Sequence, residues 1–526
     1  MNWKRSISQY GRSFAGGAVM LAASNVICKL LGFLFRIPLA NLIGREGMGY
    51  FSFAYQIFNV VVVIIVSGMP VALARMVAER TGAGPGGQHG RGILKQALVL
   101  FSVIGLTGSG ILLILAQFIS RIAGSEPSRY CIMALAPSAF FIAMMAAYRG
   151  YYQGLSDMAS TAASQITEAF CKLAIGISAA YYLYTNNYPP EIVAAGAIGG
   201  VSVGTVAGFA VLAVIGKRRG RAERRVSIKE RGIKRKIVLT ALPITLGAFF
   251  ANLINTIDAM LIMNRLQDAG FTATESTELY GAYSGYAVTM YAFPFALTSA
   301  VAASVLPLVA SATARGAAGT ARLKRSVNTA LRITAIIAFP SAALFGLLPK
   351  PVMSLLFSRA SDVAIAAPLL AGLSGATVLS AFTAVTSAIL QGAGCTNVPM
   401  AATAIGGLAK LASNYFLIGN RNINIRGAPI GTTVCYLIVF LINITAICKK
   451  FGFMPKISEF IFKPAVCGAF SAFAAYWIHT GMIRYLSPVA SIAASLFAAA
   501  ALYVFALVFT GTIKREDRDL IPFYPG

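Results

Sequence analysis

The sequence predicts an all-α polytopic membrane protein: two related six-helix lobes, a basic linker between them, and two additional C-terminal helices. Three observations predict it. Of 526 residues, 57% are hydrophobic and only 12% are charged, and the mean hydropathy is +0.73. A soluble chain carries about 25% charged residues. The apolar residues also fall in long blocks rather than short amphipathic stripes, and a spanning helix needs ~20 mostly apolar residues in a row. Finally, the chain repeats parts of itself about half its length apart.

Taken in order, the apolar blocks lie at 14–40, 50–78, 92–118, 130–153, 158–184, 192–216, 237–263, 280–310, 327–348, 363–391, 397–418, 428–448, 460–479 and 486–512. That makes about fourteen spans. A closed β-barrel, the other way to satisfy every backbone group in lipid, would show alternating strands of ~10 residues. None is visible. The domain reading follows: an N-terminal lobe at 1–216, a cytoplasmic linker at 217–236, a second lobe at 237–449, and two further helices within 450–526.

The net charge is +27, and its placement sets an orientation. The stretch 217–236 holds eleven basic residues and two acidic ones, Glu223 and Glu230, a net of +9. The positive-inside rule places it in the cytoplasm. Counting spans from there puts both termini in the cytoplasm, in agreement with Lys4, Arg5, Arg12, Arg315, Arg322, Lys324, Arg325, Lys449, Lys450 and Lys456. The loop at 264–279 is expected outside, with Arg265 set against Asp268, Glu275 and Glu278. Nucleic acid is excluded as a partner, because the basic runs flank apolar spans and no reader motif accompanies them. Anionic lipid headgroups suffice to explain them. The first apolar block is too long for a cleavable signal and lacks a small-residue cleavage site. Seven scattered cysteines show no metal-ligand spacing and read as small packing residues. His89 and His479 lie at span edges and are read as inert.

The repeat is visible in two places. Met158-Ala-Ser-Thr161-Ala162 follows Gln153-Gly154, and Met400-Ala-Ala-Thr403-Ala404 follows Gln391-Gly392. Pro70 of span two is echoed by Pro307 of span eight. The offsets are 242 and 237 residues. Six spans per repeat give both halves one orientation, so the pseudo-two-fold axis runs along the membrane normal.

Charges inside spans are costly and usually face a bundle interior or a watery cavity. Span one carries Lys29 and Arg36. Counted from Phe14, Lys29 lies about 22 Å into a core of ~30 Å, whereas Arg36 is close enough to the outer edge to snorkel. Span five carries Glu168 and Lys172 at the i,i+4 spacing of a helical ion pair. That spacing fits a mutual pair or a transport site. In span seven, Asn255 and Asp258 share a face that suits a cation, a sugar or interhelical hydrogen bonds. Lys410 of span eleven has no carboxylate one turn away, and Glu168 is its candidate partner across the repeat.

The sequence has no Gly-x-x-x-x-Gly-Lys-Ser/Thr motif and no catalytic constellation, so it reads as a secondary transporter and not an enzyme. No cofactor is expected beyond a coupling cation, sodium or proton, or the membrane potential itself.

Several segments resemble a known group. Ser24-Asn-Val-Ile-Cys-Lys29-Leu-Leu-Gly32-Phe-Leu-Phe-Arg36-Ile-Pro38, continuing to Gly44-Arg-Glu-Gly47-Met-Gly49, resembles the opening of the stage V sporulation protein B and polysaccharide-exporter group. Ser67-Gly-Met-Pro70, Tyr151-Tyr-Gln153-Gly154 and Leu279-Tyr-Gly-Ala-Tyr-Ser-Gly285 fit the same group. The resemblance implies the multidrug/oligosaccharidyl-lipid/polysaccharide exporter fold, with two six-helix lobes around a central cavity and, in lipid II flippases, two more helices. Those flippases carry Arg-x-x-Gly-x-x-Arg-Asp in the first helix, with the arginines implicated in holding a lipid diphosphate. Here Lys29 stands at the first arginine, Phe35 at the second, Arg36 one place beyond, and no aspartate follows. Val288-Thr289 stands where the eighth helix of those flippases has Asp-Arg. These departures favour the sporulation branch of the group.

The resulting expectation is a multi-pass protein of the bacterial cytoplasmic membrane, a monomer. It would translocate an undecaprenyl-diphosphate-linked anionic saccharide by alternating access. Lys29, Arg36, Asn255, Asp258 and Lys410 would line the substrate cavity, and Glu168, Lys172 and Asp258 would serve coupling or ion pairing. The alternative is a cation-coupled multidrug exporter of the same fold.

Overall fold

The structure is a computed structural model that describes residues 14–81, 90–220, 233–455 and 458–512. Most of the basic linker, at 221–232, lies outside the described residues, as does His89. Every regular element among the described residues is helical, the arrangement that satisfies each backbone group within its own segment in lipid. Twelve helical stretches among the described residues are long and apolar enough to cross a membrane. The chain is a multi-pass membrane protein.

In chain order the helices are α1 (Phe14–Val66), α2 (Met69–Thr81), α3 (Gly90–Ile122), α4 (Ser128–Gly154), α5 (Met158–Thr185), α6 (Pro190–Gly220), α7 (Ile233–Asp268) and α8 (Ala273–Gly281). A π-helical turn at Ala282–Ala287 leads into α9 (Val288–Ala314). Then come α10 (Thr320–Leu347), α11 (Pro349–Ser354), α12 (Ala360–Gly372), α13 (Ser374–Gly392), α14 (Asn397–Ile418), α15 (Gly427–Phe451), α16 (Lys463–Met482) and α17 (Pro488–Phe509).

The twelve stretches stand against about fourteen expected spans. One stretch, Ala23–Glu79, runs 57 residues through the positions of spans one and two. Its break is Gly44, at φ 67° and ψ −173°, a conformation open to glycine and strained for other residues. The expected span eleven is the helix α14, but it is not among the twelve. Pro399, Lys410 and Asn414 dilute its apolar character.

The chain divides into two compact units. The first contains Met1–Asn264 and Ala273–Gly281; the second contains Arg265–Thr272 and Ala282–Gly526. The crossing is short: α7 leaves the first unit at its last turn, α8 returns to it, and the π-helical turn begins the second. In the first unit α8 is pinned by Arg45–Glu278 at 2.9 Å and by Gly49, whose missing Cβ leaves room for the Thr277 carbonyl. In the second, Arg265 donates to the Tyr415 carbonyl at 3.1 Å and pairs with Asp268 at 2.9 Å.

Within the first unit α5 and α6 pack along their lengths. The reason is a glycine at every fourth position of α6: Gly196, Gly200, Gly204 and Gly208. Such small residues let membrane helices approach backbone to backbone. A Cβ on Gly204 would stand 2.7 Å from the Glu168 carbonyl oxygen, and one on Gly200 would collide with the Gly176 backbone. The close approach holds α5 against α6 at the level of Glu168, and Met145 of α4 meets the same helix at Gly208. In the second unit Phe382 is the hub of the core, with ring centroids 5.5 Å from Phe440 and 5.7 Å from Phe460. The α16–α17 hairpin packs on α10, where Tyr503 donates to the Ile336 carbonyl at 2.9 Å.

Candidate functional site

In the first unit, α1, α4 and α5 enclose a cavity of about 240 Å³ lined by Asn25, Cys28, Gly32, Arg149, Gln165, Glu168 and Lys172, among others. Helix geometry brings these residues together. Positions 25, 28 and 32 share a face of α1, and 165, 168 and 172 share a face of α5, each by the i, i+3, i+7 rule. Arg149 reaches across from α4.

The guanidinium of Arg149 bonds Glu168 at 2.7 Å and the Ser164 hydroxyl at 2.9 Å. Ser24 of α1 donates to Gln165 of α5 at 3.0 Å. Lys172 lies over two aromatic faces, with Nζ 5.2 Å from the Phe35 centroid and 5.0 Å from that of Tyr55. Such cation–π contacts hold an ammonium in place without neutralising it. The rings are themselves braced, since Phe51 packs against both Phe35 and Tyr55 at 5.8 and 6.0 Å.

Of the two alternatives left by the Glu168–Lys172 spacing, a mutual pair or a transport site, the mutual pair is not formed. Glu168 is paired with Arg149, and Lys172 takes the aromatic faces. A spacing of i,i+4 permits a pair but does not compel one when a guanidinium on a neighbouring helix offers a charge-assisted bond. The cavity therefore carries two cations against one carboxylate. Arg149 and Glu168 are part-exposed, with 18% and 27% of their side-chain surface accessible.

The other expected site residues are spread out. Lys29 is exposed on α1 beside Cys28, and it does not line the cavity. Arg36 is half-buried one turn beyond Gly32. On α7, Asn255 is exposed and Asp258 is buried. Lys410 is half-buried on α14 of the second unit. Sequence reasoning passed over Arg149, although it is a charged residue within a predicted span. Screening each span charge for partners on other spans, and not just along its own helix, is the signal that finds it.

Comparison with known proteins agrees with this architecture. The family profile described as "Polysaccharide biosynthesis protein" matches residues 14–313. The chain is 24% identical over 521 residues to stage V sporulation protein B of Bacillus subtilis (strain 168), covering 97% of this chain and 98% of that protein. It is 22% identical over 460 residues to the lipid II flippase MurJ of the same organism, covering 84% of each. Among solved structures, an inward closed lipid II flippase MurJ matches with a TM-score of 0.72 at 13% identity, over 94% of this chain and 99% of that one. An inward-facing multidrug resistance MATE family transporter of the MOP superfamily matches with a TM-score of 0.66 at 16% identity, over 83% and 98%. The fold is that of the MOP flippases and transporters. With most of its length matched by that profile, the chain belongs to the polysaccharide biosynthesis protein family.

Proposed function

We propose that the chain translocates an undecaprenyl-diphosphate-linked cell-envelope saccharide across the bacterial cytoplasmic membrane by alternating access. The observation that carries this reading is the cationic cavity of the first unit, where Arg149 and Lys172 face a single carboxylate. A diphosphate entering a cleft of low dielectric gains far more from such charges than it does in water. Lys172 is the group best placed to receive it, because its ammonium is held by rings and not by a carboxylate.

In this reading Lys29 and Arg36 extend the positive potential along α1, and field focusing draws the anionic headgroup toward the cavity. Asn255 and Lys410 are assigned to the saccharide, and Asp258 and Glu168 to a coupling cation. Both termini and the 217–236 stretch are assigned to the cytoplasm by their basic charge. The domain assignment proposed is two lobes at 1–216 and 237–449, followed by two added helices, with the monomer as the working unit.

The test is complementation of a strain depleted of its lipid II flippase, with outward exposure of lipid II as the readout. The chain should restore exposure, and Lys29→Ala should insert normally yet restore much less. Normal insertion with no exposure of lipid II, or of any other undecaprenyl-diphosphate cargo, would overturn the proposal.

A second reading is a cation-coupled multidrug exporter. The likeness to a MATE transporter and the carboxylate of Glu168 in the cavity support it. Efflux of a cationic dye that stops in Glu168→Gln, with no lipid exposure, would select this reading.

A further inference from the structure

A second cavity, of about 300 Å³, lies wholly within the second unit, at the end where α10 finishes and α16 turns into α17. Its walls include Leu355, Ile483, Val489 and Ile492, with Lys350 and His479 as the groups that ionise. Three apolar helices end here: α10 at Leu347, α16 at Met482 and α17 at Pro488. The cavity therefore sits at the depth where lipid chains give way to headgroups. Aromatic residues are enriched at that depth, and Tyr476, Trp477 and Tyr485, close in sequence to the wall residues His479 and Ile483, are all exposed.

Charge identifies the occupant. Lys350 and Arg484, the latter next in the chain to the wall residue Ile483, are exposed, and neither belongs to an ion pair among the described residues. On the orientation proposed above this end faces outward, where the positive-inside rule does not call for cations. His479 is buried, and its Nδ1 is 3.0 Å from the Ser491 hydroxyl, which also donates to the His479 carbonyl at 3.2 Å. Those bonds fix the ring as part of the cavity wall. An apolar slot with cations at its mouth matches a molecule with a hydrocarbon chain and an anionic head.

We propose that this cavity seats one anionic glycerophospholipid of the surrounding membrane. Its phosphate rests on Lys350 and Arg484, and the upper part of one acyl chain lies against Leu355, Ile483, Val489 and Ile492. The seat is separate from the α1–α4–α5 cavity and does not depend on which cargo the protein carries.

The test uses the full-length protein in vesicles of equal phosphatidylglycerol and phosphatidylethanolamine, with retained lipid counted by native mass spectrometry. The wild type should retain one phosphatidylglycerol with a several-fold preference. The Lys350→Gln/Arg484→Gln double variant should lose the preference, while Lys350→Arg keeps it. Filling the slot with Ile492→Trp should lower retention of both lipids. Val489→Trp, at an exposed position on the rim, repeats that test if the first tryptophan misfolds. Equal retention of the two lipids by wild type would overturn the proposal, as would a preference that survives the double variant. So would displacement by excess inorganic phosphate, which marks a bare anion site, or preferential retention of undecaprenyl phosphate, which marks a cargo site.

Discussion

Two polar clusters, one in each unit, are built in opposite ways. In the first, charge is gathered in an open cavity: Arg149 and Glu168 bond at 2.7 Å while remaining part-exposed, and Lys172 rests on rings. In the second, polar groups are sealed between helices. Tyr286 donates to Asp362 at 2.8 Å with both side chains buried, Tyr283 and Thr432 bond at 2.8 Å, and Asn443 donates to Ser387 at 3.0 Å. A sealed, hydrogen-bonded polar group holds helices in register. A part-exposed charge left with only aromatic neighbours can still receive a ligand. The difference separates a cluster that can bind from one that holds helices together.

That comparison makes graded predictions. The largest concerns Glu168→Ala, which leaves two cations in the cavity without their carboxylate. Breaking a buried pair costs several kcal/mol, and the water admitted here sets the expectation near the low end, about 3 kcal/mol. Thermal melting in detergent should show the loss, and Glu168→Gln/Arg149→Gln should recover most of it. A single variant as stable as wild type would mean that the pair does not brace the cavity.

Next is Gly204→Val on α6, where the added carbons meet the Glu168 carbonyl. Overpacking of this kind costs about 2 kcal/mol. Unchanged melting would show that α5 and α6 can separate without penalty. In the second unit, Tyr286→Phe removes the hydroxyl bonded to Asp362. A loss of about 1–2 kcal/mol is expected, with transport per folded molecule unchanged. A transport defect in this variant would break the division between the two units.

The sequence carries the fold more clearly than it carries the site. Long apolar blocks mark spans because lipid offers no other home for them. The Gly44 break is likewise signalled by Gly44-Arg-Glu-Gly47 between two apolar runs. The span count is harder to read where a helix such as α14 carries Lys410 and Asn414 and loses its apolar signature. Glu168 and Lys172 stand out because charges in lipid are rare. Their partners do not, since Arg149 lies 19 residues from Glu168 on another helix, and the packing of α4 and α5 against the same helix, α6, brings it within reach. The i,i+4 rule describes one helix alone. What pairs across helices is a tertiary fact, and here the glycines of α6 help determine it by letting α4 and α5 approach one helix at the level of Glu168.

The central claim is that Lys172 in the first unit receives an anionic lipid head. Removing it forfeits two cation–π contacts, so Lys172→Gln should cost about 1–2 kcal/mol of stability. The decisive measurement is translocation of lipid II across reconstituted vesicles by wild type, Lys172→Gln and Lys172→Arg. A hydrogen bond to a charged group is worth about 1.5–3 kcal/mol, so Lys172→Gln should slow translocation about tenfold or more while Lys172→Arg keeps part of it. Full translocation by a well-folded Lys172→Gln would contradict the account.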